Sequence, residues 1–113
     1  MLVPEQVCTG IYYLNIKLDC LEIYSPYIEK YNLKDVYNNV FEGNICNFNF
    51  SNYDYIILGD ILEHLTIKDA QTVIDKINKN NQKCIVAVPY LSKQGEHEGN
   101  TYETHLQEDL TPE

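Results

Sequence analysis

The sequence predicts a three-layer α/β fold, in which an open, mostly parallel β-sheet has helices on both faces. Four short apolar runs of strand length alternate with helical or turn-rich segments along the 113 residues. The run at residues 55–59 is apolar at consecutive positions, which is typical of a strand covered by helices on both sides. Because strand–helix–strand units pair their strands in parallel through right-handed crossovers, this alternation predicts a single open sheet.

The first half of the chain contains two predicted strands and one predicted helix. Residues 18–23 form the first strand candidate and residues 40–42 form the second. Between them, Ser25 followed by Pro26 predicts the N-cap and the first position of a helix. We expect this helix to end near Asn32, because asparagine favours turns over helix interiors.

The second half contains the clearest helix of the sequence, between two further strands. Residues 55–59 form the third predicted strand, and residues 83–88 form the fourth, which Pro89 ends. Thr66 is the predicted N-cap of the helix, with Asp69 as a carboxylate in its first turn. The apolar residues of this helix fall at i, i+3, i+4 and i+7, namely Ala70, Val73, Ile74 and Ile77.

The length allows one small domain. The distribution of charged residues separates it into a core and an acidic C-terminal segment. Residues 1–90 are the predicted α/β core. Residues 91–113 are a predicted acidic C-terminal segment that packs on this core or trails from it. The segment contains six carboxylates and one lysine, so it contributes −5 to the net charge of −9.

The composition argues against several function classes. All eight cationic side chains are lysine, and there is no arginine, so we expect no nucleic-acid partner and no anionic membrane surface as partner. The N-terminus lacks the features of a signal peptide, and no apolar run is long enough to span a membrane. The four cysteines include no CxxC pair, and three of them lie in apolar runs. We therefore predict a cytoplasmic protein with reduced thiols in its core.

The run YDYIILGDILEHL at residues 53–65 resembles the fourth-strand motif of class I S-adenosylmethionine-dependent methyltransferases. Residues 18–23 are similar to the second strand of that family, residues 41–45 to its third-strand motif, and residues 85–89 to its fifth strand. The resemblance is most specific at the fourth strand. It implies a Rossmann-like, methyltransferase-type sheet, with S-adenosylmethionine as the cofactor.

The resemblance also implies which residues contact the cofactor. Glu22, at the end of the second strand, would accept hydrogen bonds from both ribose hydroxyls, because a carboxylate suits a diol. Asn44 would meet the adenine amine, and Asp60 and Ile61 would flank the adenine and the methionine part. The complete implied set is Gly10, Glu22, Ile23, Tyr24, Asn44, Ile45, Asp60 and Ile61.

The glycine-rich loop departs from the family pattern. Of the glycines expected at residues 4–10, only Gly10 remains, and Gln6 and Cys8 take the other glycine positions. The chain thus resembles a pared-down or truncated member of the family, and two hypotheses stay open. The first is a methyltransferase whose acceptor, a small molecule or a protein, is unknown. The second is a degenerate, non-catalytic module that binds a partner. A third expectation is a homodimer that forms through an open sheet edge.

Asp60, Glu63 and His64 are spaced to share one face if a helical turn follows the third strand. His64 is the candidate general base for methyl transfer. The same three residues are an alternative ligand set for Mg²⁺, Mn²⁺ or Zn²⁺, with His105 as a fourth ligand if the C-terminal segment folds back. The prediction is that no metal binds, because this motif occurs in many members of the resembled family without one.

Overall fold

The computed structural model describes residues 16–89 and 93–107 of the chain. The chain divides into two compact units, Met1–Ile45 and Cys46–Glu113. The stretch that the resemblance assigns to the glycine-rich loop, including Gly10, lies outside the described residues. No helix in the described part of the chain is long and apolar enough to cross a membrane.

The first unit is built on a parallel strand pair. Strand β1 (Asp19–Glu22) pairs in parallel with β2 (Asn39–Glu42) over four residue pairs. Between the strands the chain forms two short helices, α1 (Ser25–Lys30) and α2 (Leu33–Val36). The two predicted strands are confirmed to within one residue at each end. Helix α2 has no counterpart in the sequence prediction.

Burial explains the additional helix, and a backbone hydrogen bond accounts for the different N-cap. Leu33 lies in the core of the first unit, so the chain forms a second helix after Asn32, whose φ of 50° is tolerated by asparagine better than by most residues. The N-cap of α1 is Tyr24 rather than Ser25, because the Tyr27 amide bonds the Tyr24 carbonyl oxygen at 3.0 Å. The core contains Cys20, Leu33 and Tyr37, with Leu18, Ile28, Val36 and Val40 packed against them.

The second unit contains the other parallel pair. Strand β3 (Tyr55–Gly59) pairs with β4 (Lys83–Ala87), and helix α3 (Ile67–Lys79) connects them. The predicted cap of this helix is confirmed, since Thr66 Oγ1 accepts a hydrogen bond from the Asp69 amide at 3.1 Å. The third strand has its predicted bounds, and the fourth ends one residue early.

Only one face of the β3–β4 sheet is buried among the described residues. Ile56 and Leu58 of β3 are buried, whereas Ile57 is 37% exposed and Ile85 of β4 is 60% exposed. The expectation that this strand is covered on both sides stays a prediction. The single crossover helix of a two-stranded parallel unit can cover only one of its faces.

The α/β class with parallel strand pairing is confirmed. The described residues form two separate two-stranded sheets, one from β1 and β2 and the other from β3 and β4. The single three-layer sheet, the domain boundary at residue 90 and the homodimer stay predictions.

The structure describes three of the four cysteines, and their bonding state bears on the prediction of reduced thiols. Cys20, Cys46 and Cys84 form no disulfide within the described ranges, and Cys8 lies outside them. Cys20 is a core residue, and burial raises the pKa of its thiol to about 11. Because the thiolate is the reactive form, Cys20 is a packing residue rather than a nucleophile.

Candidate functional site

In the first unit, the predicted cofactor residues follow the carboxyl ends of the two strands. Glu22 is the last residue of β1 and is 5% exposed. Its Oε1 accepts a hydrogen bond from the Tyr24 amide at 2.9 Å, so the turn after the strand fixes the orientation of the carboxylate. Ile23 and Ile45 are half-buried, and Asn44 is exposed. A carboxylate at the end of a parallel strand is therefore present where the resemblance expects one.

In the second unit, the predicted cofactor residues follow β3. Asp60 is exposed and has a φ of 52°, a left-handed conformation in which aspartate is one of the more frequent non-glycine residues. Its amide donates to the Ala87 carbonyl oxygen at 2.8 Å, which extends the parallel hydrogen bonding one residue beyond the strand. Ile61 is half-buried and is the N-cap of a 3-10 turn, Leu62–His64.

Three side chains with metal-ligand chemistry meet at this turn: Glu63, His64 and His105. One ligand atom from each residue lies within 4.8 Å of those from the other two. The two imidazole rings are in edge-to-face contact with their centroids 4.9 Å apart, and His64 Nε2 lies 3.6 Å from Glu63 Oε1. A carboxylate beside two imidazoles can bind a divalent transition metal or exchange a proton.

The Glu63 carboxylate is buried and accepts no hydrogen bond within the described part of the chain. The residue is 1% exposed, and burial raises the pKa of its carboxyl group. Neither oxygen accepts a hydrogen bond from any residue in the described ranges. Leaving a buried polar group unsatisfied costs about 1–3 kcal/mol, and more when the group is charged. The carboxylate therefore needs a proton or a cation.

The hydrogen bond of His64 determines which of its nitrogens has the lone pair. His64 Nδ1 lies 3.2 Å from the Thr104 carbonyl oxygen. Because a carbonyl oxygen can only accept, Nδ1 must carry the hydrogen in this contact. In the neutral ring, Nε2 then has the lone pair, 3.6 Å from Glu63 Oε1 and 4.0 Å from Glu103 Oε2. These atoms are all acceptors, so a positive charge between them would be stabilising.

Hydrogen bonds from Leu106 and Gln107 hold this part of the C-terminal segment against the turn that carries Glu63. The amides of Leu106 and Gln107 both donate to the Glu63 carbonyl oxygen, at 2.7 and 3.2 Å. The side-chain amide of Gln107 donates to the carbonyl oxygens of Leu62 and Leu65, at 2.9 and 2.8 Å. These bonds bring the neighbouring histidine of the segment to the turn.

The three potential metal ligands that converge in the structure differ from the alternative set that the sequence suggested. Asp60 is not one of the three residues whose ligand atoms lie within 4.8 Å. The 3-10 turn after the strand covers Leu62–His64, so Asp60 precedes it and is not part of it. His105, which was conditional on the segment folding back, takes the third place. The role of His64 as a general base stays a prediction.

The sequence analysis assigned no functional role to Asn100 or Glu103. Asn100 is buried, and its Oδ1 accepts a hydrogen bond from the Tyr102 amide at 2.9 Å, which caps the 3-10 turn Thr101–Glu103. This turn brings Glu103 to the edge of the cluster. A signal was present, because an asparagine three residues before a glutamate resembles a capping box.

The described residues define an α/β protein with parallel strand pairs and a carboxylate–histidine cluster just after a strand. Comparisons of the chain with protein-family models, with curated proteins and with solved structures find no match. Its function is therefore inferred from its residues and their geometry.

Proposed function

We propose that this chain is an S-adenosylmethionine-binding domain of the methyltransferase type, which transfers a methyl group to a small-molecule or protein acceptor. The observation that carries this proposal is the pairing of its strands. In a doubly wound sheet with strand order 3-2-1-4-5, strand 2 pairs with strand 3 and strand 4 pairs with strand 5. By the resemblance, β1 to β4 correspond to strands 2 to 5, and they form the same two parallel pairs.

The residue that ends β1 supports a role in cofactor binding. Ligands of doubly wound sheets bind beyond the carboxyl ends of the strands. Glu22 has this position, and its carboxylate is oriented by the Tyr24 amide. We propose that this carboxylate accepts the ribose hydroxyls, while Asn44 accepts a hydrogen bond from the adenine amine.

Methyl transfer does not require the protein to form a covalent intermediate. The acceptor displaces the methyl group in line from a positively charged sulfonium, so the protein contributes positioning and electrostatic stabilisation. Carboxylates after the strands suit this cationic cofactor, and the acidic chain, which lacks arginine, fits a small-molecule or protein acceptor better than a nucleic acid.

The test is calorimetric titration of the whole chain with S-adenosylmethionine and S-adenosylhomocysteine. Glu22→Gln keeps the size and the acceptor for the Tyr24 amide but removes the charge. A hydrogen bond to a charged group contributes about 1.5–3 kcal/mol, so we expect this variant to bind roughly tenfold to a hundredfold more weakly. Glu42→Gln is the matched control, because Glu42 lies opposite Glu22 at the end of β2 and is exposed. It should change the affinity by less than about twofold.

Two outcomes would overturn the proposal. One is the absence of both heat and a thermal shift at a cofactor concentration on the order of 1 mM, while circular dichroism shows a folded chain. The other is equal binding by the Glu22 and Glu42 variants. Absence of binding would favour the alternative hypothesis of a non-catalytic partner module, in keeping with Gln6 and Cys8 at the altered glycine positions.

A further inference from the structure

We infer that Glu63, His64 and His105 form a binding site for a divalent transition-metal ion, with Zn²⁺ as the best match. The site lies wholly within the second unit, and it does not depend on whether the chain binds S-adenosylmethionine. Two independent observations point to a cation here. One is the convergence of three ligand atoms within 4.8 Å, and the other is the buried carboxylate that accepts no hydrogen bond from the described residues.

The carboxylate of Glu63 is the first ligand. With 1% of the residue exposed, water is excluded from it, and no described donor replaces the lost hydration. Charges buried in proteins are in general paired or coordinate a metal. A bound cation would supply the missing positive charge.

The Nε2 atom of His64 is the second ligand. Histidine ligands in metalloproteins almost always donate their other ring N–H to a carbonyl or carboxylate oxygen, which fixes the tautomer. His64 already makes this bond, from Nδ1 to the Thr104 carbonyl oxygen at 3.2 Å. The lone pair on Nε2 then faces Glu63. The arrangement that a metal would require of this histidine is therefore present.

The distances are close to those of a coordinated ion. Ligand atoms about 2.1 Å from a Zn²⁺ ion in tetrahedral geometry are about 3.4 Å from one another. The separation of 3.6 Å between His64 Nε2 and Glu63 Oε1 nearly matches this value. All three ligand atoms lie within 4.8 Å of one another, so a bound ion would draw the most distant pair together by at most about 1.4 Å.

The donor types select the kind of ion. Imidazole nitrogens favour Zn²⁺, Fe²⁺, Ni²⁺ and Cu²⁺, whereas Mg²⁺ and Ca²⁺ prefer sites made of oxygen ligands. Two imidazoles and one carboxylate thus favour a first-row transition metal. Three protein ligands leave a fourth position for water or for Glu103, whose Oε2 lies 4.0 Å from His64 Nε2.

The ligands come from two segments that are distant in sequence. Glu63 and His64 belong to the turn after β3, and His105 belongs to the segment that hydrogen bonds to this turn through Leu106 and Gln107. A bound ion would therefore cross-link the segment to the turn. This predicts slower amide exchange at Leu106, whose N–H donates to the Glu63 carbonyl oxygen at 2.7 Å.

The test is calorimetric titration of the metal-free full chain with Zn²⁺, and separately with Mg²⁺, near neutral pH. We compare wild type, Glu63→Gln and His105→Ala with two control variants of the same segment, Glu96→Gln and His97→Ala, whose native residues are exposed. All variants keep the four cysteines. We expect both ligand variants to lose at least tenfold in Zn²⁺ affinity, both controls to match wild type, and Mg²⁺ to bind more weakly than Zn²⁺.

Two further readouts separate coordination from a structural effect of the substitutions. Co²⁺ in place of Zn²⁺ should give a visible absorption spectrum typical of nitrogen and oxygen ligands, without thiolate charge transfer. Hydrogen exchange at Leu106 should slow on addition of Zn²⁺ in wild type and not in Glu63→Gln. If His105→Ala does not fold, the Zn²⁺ affinity of Glu63→Gln alone tests the inference, because this substitution replaces a buried charge by a neutral group of the same shape. Absence of Zn²⁺ binding, or equal Zn²⁺ binding by Glu63→Gln and Glu96→Gln, would overturn the inference.

Discussion

Glu22 and Glu63 are the two buried glutamates of the described chain, and they illustrate two ways to bury a carboxylate. Each belongs to or closely follows the end of a parallel strand, with 5% and 1% of the residue exposed. The carboxylate of Glu22 accepts a hydrogen bond from the Tyr24 amide. The carboxylate of Glu63 accepts none from the described residues and lies beside a histidine instead.

The difference shows that similar burial of the same residue type can indicate different chemistry. Backbone donation to Glu22 fixes the carboxylate in place, which suits recognition of a neutral diol. The absence of described donors at Glu63 leaves its charge uncompensated, which suits a cation. Each of the following predictions tests whether this distinction holds.

The largest expected effect is the response of stability to Zn²⁺. At a free Zn²⁺ concentration of about 100 times its dissociation constant, binding should add about 2.7 kcal/mol to the free energy of unfolding of wild type. Glu22→Gln should respond equally, and Glu63→Gln should gain no more than about 1.4 kcal/mol, because its Zn²⁺ affinity is expected to fall at least tenfold. Thermal unfolding with and without Zn²⁺ measures this. A stabilisation of Glu63→Gln equal to that of wild type would remove the distinction between the two glutamates.

Without metal, the two neutralising substitutions should have opposite signs. Glu63→Gln removes an unsatisfied buried charge, so we expect it to raise the free energy of unfolding by about 1–2 kcal/mol. Glu22→Gln weakens a charge-assisted hydrogen bond, so we expect it to lower that free energy by about 1 kcal/mol. Urea unfolding in the presence of a chelator compares them. Changes of the same sign in both variants would contradict the prediction.

The pH dependence of stability in the metal-free protein should show the titration of the Glu63 carboxyl group. Burial raises the pKa of the Glu63 carboxyl in the folded state above its unfolded value. Its contribution to stability is therefore fully present below the unfolded pKa and is lost as pH rises through the folded pKa. As pH increases from about 4, wild type should lose stability relative to Glu63→Gln.

Melting temperatures of both proteins over a pH series, with chelator present, measure this difference. Glu96→Gln serves as the control, because Glu96 is exposed, and its curve should run parallel to that of wild type. A difference between wild type and Glu63→Gln that is constant with pH would show that the carboxyl does not titrate in the way its burial implies.

The smallest expected effect concerns Asp60, which the sequence placed in the alternative metal set. Asp60→Gly should leave the Zn²⁺ affinity unchanged, because Asp60 is not among the three converging donors. Glycine accepts a φ of 52° without strain but has more freedom in the unfolded chain, so stability should change by less than about 1 kcal/mol. Calorimetry and urea unfolding check both statements. A tenfold loss of Zn²⁺ affinity would restore Asp60 as a ligand.

The local elements could be predicted because local patterns specify them. The apolar run at residues 55–59 and the cap at Thr66 are features of a few neighbouring residues, and the structure has both where the sequence predicted them. Helix α2 could not be predicted, because its four residues are held by the burial of Leu33 and not by their own helix propensity. The sequence also could not tell that Ile56 and Leu58 are the buried residues of β3 among those described, because a strand that is apolar at every position does not show which face is covered.

The sequence by itself determined the α/β class, the parallel pairing, the positions of the four strands, and the types of residue that follow them. It also determined that the turn after β3 carries Glu63 and His64. Only the tertiary structure decided that His105, and not Asp60, joins them, and that Glu63 is buried without a described donor. The physical reason is that helical and strand periodicity act over neighbouring residues, whereas burial, tautomer and ligand geometry depend on hydrogen bonds between distant segments, here those of Leu106 and Gln107 to the turn.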